Sequence, residues 1–583
     1  VKALIEQHLA GALANLKAAG TIPNDIEPKI AVTRTRDPSH GDFASNLAMM
    51  LAKPAGLAPR DVAQMLIDAL PENTDIREVA IAGPGFINFF QNDAAASSVV
   101  STVLAQGDQF GRSEVGKGQR WQVEYVSANP TGPLHVGHGR GAALGATMAN
   151  MLGAIGFDVQ REYYVNDAGR QMDILAVSVW LRYLALCGET FEFPSNGYKG
   201  EYIKDIAQSL KDKHGDALRH PANAIFDSIP ADEPAGGDKE LHIDGVVAQA
   251  RQLLGDGYDI VFNVGLTAIL EDIKQDLGEF GVIYDEWFSE RSLADHVKTV
   301  VKKLDDAGHL YVKDGATWFR TTDFGDEKDR VVVRDNGQTT YFASDIAYID
   351  NKLERGFDKV LYVFGADHHG YTARMFAACE ALGHPRDKLQ FLLIQFAKLF
   401  KDGQPVAMTT RGGEFVTIRE LREQVGKDAA RYFYVMRKYQ QHLDFDLDLA
   451  ISQSNDNPVY YVQMAHARIC SVMRRCEQLG MSFDQQAGLE SLALLTEPEE
   501  AELLTLLATY PELLQRAALN HEPHQLTTYL RDLANGLHSY YNAHKTLVDD
   551  DALRQARLCL MLSVRQVLVN GLTLIDVSAP EVM

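Results

Sequence analysis

An apolar, strand-like run from Trp121 to Val126 leads into Ser127-Ala-Asn-Pro-Thr-Gly-Pro-Leu-His-Val-Gly-His-Gly-Arg140, and a helix-like run rich in Gly and Ala follows. No other stretch constrains the fold as strongly. An apolar strand, a turn punctuated by Pro and Gly, and a small-residue helix make the strand–turn–helix step of a doubly wound parallel sheet. In such sheets ligands bind beyond the carboxyl ends of the strands. His135 and His138 lie at the junction, three positions apart, and can face one ligand. Gly137 between them leaves room for a nucleotide to lie against the backbone. The helix start is expected to offer free N–H donors and a positive dipole end to phosphate. Four residues of this kind also arise by chance, as two polar histidines in a surface turn, so the flanks carry the argument.

The same alternation extends well beyond this unit. Between residues 119 and 410, strand-like runs at Gln122–Val126, Asp158–Val165, Lys359–Phe364 and Gln390–Ile394 alternate with helix-like ones. This predicts an α/β, Rossmann-like parallel sheet. A polar stretch, residues 188–240, reads as an insertion. Residues 1–112 read as a small α+β module, with Leu47–Leu57 as a helix and a Gly/Pro turn before Phe86–Phe90; residues 107–118 read as a linker. From 411 to 583 the pattern turns helical. Apolar residues recur at three- and four-residue spacing in Tyr460–Met473, Ala501–Leu514, Leu526–Tyr541 and Leu553–Leu574, which predicts an α-helical bundle.

At 583 residues the chain holds several domains, and 46% hydrophobic with 23% charged residues is ordinary for a globular protein. No stretch reads as a membrane span, and the N-terminus reads as an amphipathic helix rather than a signal peptide. Five scattered cysteines without a C-x-x-C pair argue against a disulfide framework and against zinc, and fit a reducing cytoplasm. The net charge of −23 speaks against nucleic-acid binding unless basic residues gather on one face. Arg431–Lys438 and Arg468–Arg475 are the candidate clusters.

Taken together, the motifs resemble those of one family. Glu124 to His138, Tyr163-Tyr-Val-Asn-Asp-Ala-Gly-Arg-Gln171, Gly365-Ala-Asp-His-His-Gly-Tyr371, Met408-Thr-Thr-Arg-Gly-Gly-Glu-Phe-Val-Thr417, Asp456 to Arg468 and the terminal Ala579-Pro-Glu-Val-Met583 occur in that order. The chain resembles the bacterial-type arginyl-tRNA synthetases, which are class I aminoacyl-tRNA synthetases, over essentially its whole length. The resemblance implies ATP-dependent activation of L-arginine to arginyl-adenylate and transfer of arginine to the 3′ end of tRNA(Arg). It implies Mg²⁺ with the ATP, no zinc, a monomer and no membrane partner. Placement and electrostatics should dominate the catalysis.

By the same resemblance, His135 and His138 contact the ATP phosphates, and Gly137, Gly365, Asp367 and His368 surround the nucleotide. Asp367, His368 and His369 are also a plausible metal-ligand set, but no further ligand cluster in the sequence supports that alternative. Met408, Thr409, Thr410 and Arg411 occupy the place of the class's second signature, whose two lysines are lost to Ala407 and Thr410. Arg411 is the local candidate to neutralise pyrophosphate; Lys398 and Lys401 are weaker ones. A guanidinium needs carboxylates, and the family places Glu124 and Asp345 around the arginine substrate, with Ser127, Asn129 and Tyr341 assisting. Tyr341 and Asp345 are four apart and share a helix face. For tRNA, the resemblance implies contacts from Asn166, Asp167 and Gln171 near the acceptor end, from Tyr461, Tyr541 and Met583 at the anticodon, and from Asn46, Phe86 and Asn88 at the outer corner. Rival readings are a class I synthetase for another amino acid, a small-molecule adenylyltransferase, and a tRNA-binding paralogue with a dead site.

Overall fold

The computed structural model describes residues 2–35, 37–71, 73–406 and 416–583. Its centre is a five-stranded, all-parallel sheet: β1 (Arg120–Tyr125), β2 (Asp158–Val165), β3 (Glu286–Ser289), β4 (Lys359–Gly365) and β5 (Leu389–Ile394), in the order β5-β4-β1-β2-β3. The strand order reverses at β1, the topological switch point at which open α/β sheets bind ligands. Trp121, Val123 and Tyr125 are buried on one face of β1, and Gln122 and Glu124 on the other. With both faces covered, the polar side chains of β1 need partners, and Gln122 finds Gln160 on β2 at 3.1 Å.

Two helices flank the switch point. The first, α1 (Val136–Ala154), follows β1 and is buried along most of its length. Its small residues permit close approach: a methyl group on Gly145 would lie 2.3 Å from the Tyr125 ring, and one on Gly139 2.8 Å from the Tyr434 ring. The second, α2 (Tyr341–Glu354), precedes β4. Tyr341, Asp345, Tyr348 and Lys352 recur on it at four- and three-residue spacing, and therefore lie on one face.

The N-terminal module is a four-stranded antiparallel sheet carrying helices Lys2–Ala18, Leu47–Ala55 and Pro59–Asp68. Phe86 and Asn46 are exposed on it, whereas Asn88 is buried in its sheet and is not placed to touch a tRNA. The next helix, Asp93–Gln106, packs not on this module but on helices Pro498–Leu519 and Asp551–Leu574 of the C-terminal bundle. Asn570 Nδ2 fastens the following turn by donating to the carbonyls of Gly107 (3.0 Å) and Phe110 (3.2 Å).

The stretch 188–240 carries helices Glu201–His214 and Ala222–Phe226 and packs onto helix Arg170–Leu186. After residue 416 the chain first returns to the catalytic region. Helix Lys427–Val435 packs on α1, and strand Leu443–Asp446 pairs in parallel with Ala397–Lys401. The bundle proper then contains α3 (Pro458–Gln478), Pro498–Leu519, α4 (His524–Ala543) and α5 (Asp551–Leu574). Contrary to the sequence-based expectation, α5 is long and apolar enough to cross a membrane, but its apolar window is 72% buried inside the fold. The packing of helices on all sides accounts for its composition.

Candidate active site

The chain leaves β1 through a costly turn. Val126 (φ 70°) and Ser127 (φ 43°) are successive non-glycine residues in the left-handed region, and a β-branched residue is rare there. Each such position costs about 1–3 kcal/mol and persists only where its surroundings hold it. The Tyr284 hydroxyl donates to the Tyr125 carbonyl and the Tyr163 hydroxyl to that of Ala128, both at 2.9 Å. Ser127 Oγ donates to Glu124 Oε1 at 3.0 Å and accepts from the Tyr164 amide at 3.1 Å.

His135 is the N-cap of α1; its Nδ1 accepts from the Gly137 amide at 3.1 Å. A methyl group on Gly137 would meet the His135 ring at 2.8 Å, so any larger residue here displaces the imidazole from its capping position. The two histidine rings lie with centroids 3.8 Å apart, tilted by 32° to one another. Burial, then the neighbouring His135, push the His138 imidazole down to about 3, and burial lowers His135 as well. At neutral pH both rings are uncharged donors. Among the described residues, Nδ1 of His138 is buried without a partner.

The expected free N–H groups at the helix start are not available. The Val136 amide donates to the Val416 carbonyl and the His138 amide to that of His135, both at 2.9 Å, and Gly137 is already bonded to the His135 ring. The helix offers its dipole and its two imidazoles rather than its first amides.

A cavity of about 1020 Å³ opens over the carboxyl ends of β1, β2 and β4. It brings together Glu124, Ser127, Asn129, His135, Gly137, His138, Asn166, Gln171, Tyr341, Asp345, Gly365, Asp367 and His368. Asp367 and His368 stand exposed in a short 3₁₀ turn beyond β4. A methyl group on Gly365 would lie 2.4 Å from the Asp367 carboxylate and would displace that exposed side chain.

The carboxylates of the cavity differ sharply. Glu124 is bonded to the ammonium of Lys352, which sequence reasoning missed. Asp345 accepts from the Tyr371 hydroxyl. Burial pushes its carboxyl up to about 6, with the Tyr371 bond opposing and the Glu124 charge adding to the rise. Glu290, also missed, lines the same cavity. Burial, then the charges of Asp345 and Asp167, push it up to about 7, and its Oε2 is buried with no partner among the described residues. Lys352 was discoverable, because it continues the helical stripe of Tyr341 and Asp345. Glu290 carries no local signal; it arrives from the far end of β3.

Asn129 donates to Gln171 Oε1 at 2.7 Å and accepts from Asn166 Nδ2 at 2.8 Å, so Asn166 and Gln171, expected near the tRNA acceptor end, line the same cavity as Asn129. Asp167 is corrected outright. It is 3% exposed, and its carboxylate accepts from Ser289 Oγ (2.6 Å) and from the backbone and side chain of Arg291 (3.1 and 3.2 Å). It pins β2 to the turn after β3 and is not accessible to a nucleic acid. Met408, Thr409, Thr410 and Arg411 lie outside the described residues. Lys398 and Lys401 are exposed on the strand that leads away from the cavity.

In the bundle, Tyr461 and Tyr541 meet one basic pair. The Tyr461 ring lies 4.4 Å from that of His538, the guanidinium of Arg468 lies 4.5 Å over Tyr541, and Arg468 bonds His538 at 2.9 Å. Tyr541 and Met583 are exposed. A half-open aromatic and cationic surface of this kind suits unstacked bases.

A parallel sheet entered through an H-x-G-H turn, with its cavity at the switch point and a helical domain behind it, defines a class I aminoacyl-tRNA synthetase. The comparisons narrow this. Residues 3–91 match the arginyl-tRNA synthetase N-terminal domain, 99–184 and 268–470 the class I (R) tRNA synthetase catalytic domain, and 462–583 the DALR anticodon binding domain. The chain is 59% identical to the arginine–tRNA ligase of Thioalkalivibrio sulfidiphilus, over 100% of this chain and 99% of that one. It is 56% identical to that of Legionella pneumophila (strain Paris), over the full length of both. It shares the fold of the Thermus thermophilus arginyl-tRNA synthetase with a TM-score of 0.72, at 22% identity and full coverage of both chains. The chain belongs to the arginyl-tRNA synthetase family.

Proposed function

We propose that the cavity binds ATP and L-arginine together and that the chain is an arginine–tRNA ligase. The arginine carboxylate attacks the α-phosphorus of ATP and expels pyrophosphate. A ribose hydroxyl of the tRNA 3′-terminal adenosine, the 2′-hydroxyl in this class, then attacks the arginyl carbonyl and releases AMP. One observation carries the choice of amino acid: Asp345 and Glu290 are cavity carboxyls held above their ordinary range, and among the described residues neither has an ion-pair partner, the Arg374 charge offsetting the rise of Asp345 only in part. A planar, permanently charged guanidinium supplies what they lack. Glutamate would add a third negative charge to the same space, and an adenylyltransferase for small molecules has no use for the bundle. A dead-site paralogue is disfavoured because both imidazoles and the carboxyls are in place.

In this reading the neutral imidazoles of His135 and His138 donate hydrogen bonds to the α-phosphate as charge grows there. A neutral donor does not hold the phosphate before reaction as an ammonium would, which favours the transition state over the bound nucleotide. Asp367 and His368 meet the adenosine. Glu124, Ser127 and Asn129 face the α-end of the amino acid. Mg²⁺ enters with the phosphates as part of the nucleotide substrate. The group of His296, Asp350 and Glu354 can also be drawn as a metal site, but the Lys303 ammonium already bridges both carboxylates, at 2.6 and 2.7 Å. Tyr461, Tyr541 and Met583 receive the anticodon. A monomer in a reducing cytoplasm is in keeping with five cysteines in the free form. The test is pyrophosphate exchange with each amino acid in turn, with and without tRNA. Exchange should be specific to arginine, and the tRNA-free arm reports whether activation depends on tRNA. Exchange with any other amino acid at a comparable rate rejects the proposal.

A further inference from the structure

Lys352 is wholly buried, at the inner end of the α2 stripe that carries Tyr341, Asp345 and Tyr348. Its ammonium bonds Glu124 and lies 3.9 Å from Glu162. It is held between two aromatic faces, 4.2 Å from the Tyr348 ring centre and 4.3 Å from that of Tyr362. Placing an ammonium here is expensive. Desolvation of a buried ion pair commonly cancels its attraction, and an aliphatic residue of the same length would fill the slot without that cost. Stability alone therefore does not explain this lysine.

The geometry points to a positional role. Glu124 has two oxygens and spends one on Lys352 and the other on Ser127 Oγ, at 3.0 Å. Ser127 in turn receives the Tyr164 amide at 3.1 Å and lies in the left-handed turn with Val126. Lysine, glutamate and serine thus form one chain of contacts, from the inner end of α2 to the strained rim of the cavity. We propose that Lys352 is a positioning residue for the amino-acid site: it orients Glu124 and, through Glu124, holds the Val126–Ser127 turn that receives the α-end of arginine. This rests on the arginine reading above.

The experiment compares Lys352→Met, Glu124→Gln and the double variant in arginine-dependent pyrophosphate exchange, with Asp345→Ala as a separate probe of the pocket. Lys352→Met should raise the arginine KM at least about 10-fold while leaving the ATP KM within about 3-fold, a split that general loosening of the fold does not produce. Because Lys352 acts through Glu124, the double variant should match Glu124→Gln alone, within about 2-fold in arginine KM. The double variant also removes both buried charges together, so it remains informative if the single lysine variant fails to fold. An arginine KM at the wild-type value in folded Lys352→Met overturns the inference. So does a double variant several-fold worse than Glu124→Gln, or a Glu124→Gln that leaves the arginine KM unchanged. If Asp345→Ala also leaves it unchanged, the arginine pocket itself is misassigned; if Asp345→Ala raises it, the pocket stands and only the role of Lys352 falls.

Discussion

Two sets of carboxylates share the edge of one sheet and behave in opposite ways. Glu124 and Glu162 meet Lys352 and Arg355: Glu124 bonds the lysine, and Glu162 takes the guanidinium in a fork, at 2.6 and 3.0 Å. Arg355, the Lys352 charge and the Tyr348 hydroxyl hold the Glu162 carboxyl below its ordinary range despite its burial. Among the described residues Asp345 and Glu290 have no such ion pair; the Arg374 charge acts on Asp345 without preventing its rise to about 6, and Glu290 is pushed up to about 7. The first set is completed by the chain itself. The second is completed only by something that arrives. A site for a cation is therefore marked by carboxylates the fold has buried and left unneutralised, and not by the number of carboxylates present.

Several changes would break or sharpen this contrast. Asp345→Ala removes one acceptor and should raise the arginine KM about 100-fold, in line with the few kcal/mol typically lost with one partner of a buried charge pair. Steady-state exchange measures it, and an arginine KM within twofold of wild type would remove Asp345 from the pocket. Arg355→Gln attacks the other set. It leaves Glu162 with less compensation and should lower unfolding free energy by about 2 kcal/mol, with the arginine KM nearly kept. Denaturant unfolding beside exchange kinetics tests both halves, and a large KM effect would erase the distinction between the sets. Glu290→Gln keeps shape and loses charge; about a 10-fold rise in arginine KM is expected, with the ATP KM constant.

The pH dependence is a further test with a definite sign. Both raised carboxyls are ionised above about 7 and take up protons as the pH falls through about 7 and about 6. Guanidinium binds the ionised forms, so the arginine KM should be flat at alkaline pH and climb as the solution is acidified through that window. Arginine binding at pH near 6.5 should release protons, which calorimetry in buffers of different ionisation enthalpy detects. Proton uptake instead would refute the assignment. The smallest effect is expected far from the cavity. Tyr541→Ala removes one exposed aromatic face and should raise the tRNA KM about 5-fold, at the low end, about 1 kcal/mol, for a lost base stack, without touching exchange. A fall in tRNA-independent exchange would show that the residue acts otherwise.

Much of the architecture was legible because periodicity reports burial. The sequence pattern places Asp158–Val165 at its observed limits and three further sheet strands within two residues of theirs, but it gives no sign of the fifth, the short strand Glu286–Ser289, whose four half-buried residues make no apolar run. The four long bundle helices were likewise visible from their apolar spacing. What periodicity does not report is the partner of a surface. Helix Asp93–Gln106 follows the N-terminal module directly in sequence, yet it packs on the C-terminal bundle. Strand Leu443–Asp446 lies inside a helical pattern because its pairing partner, Ala397–Lys401, is distant in the chain.

The candidate site divides in the same way. His135, Gly137 and His138 are local, and so are Asp345 and Tyr341 on one helical face; spacing alone brings them together, and the motif match gives them meaning. The burial of Asp167, the bonding of Asn166 and Gln171 to Asn129, the occupied amides of α1 and the presence of Glu290 depend on which strand ends meet at the sheet edge. Short-range order thus determined the turn, the imidazole pair and the helix stripe, because side-chain direction within an element follows from its own repeat. Tertiary packing alone decided which of the acidic groups keep their charge compensated and which await a cation, because solvation and neighbouring charge are properties of the assembled cavity and not of the chain.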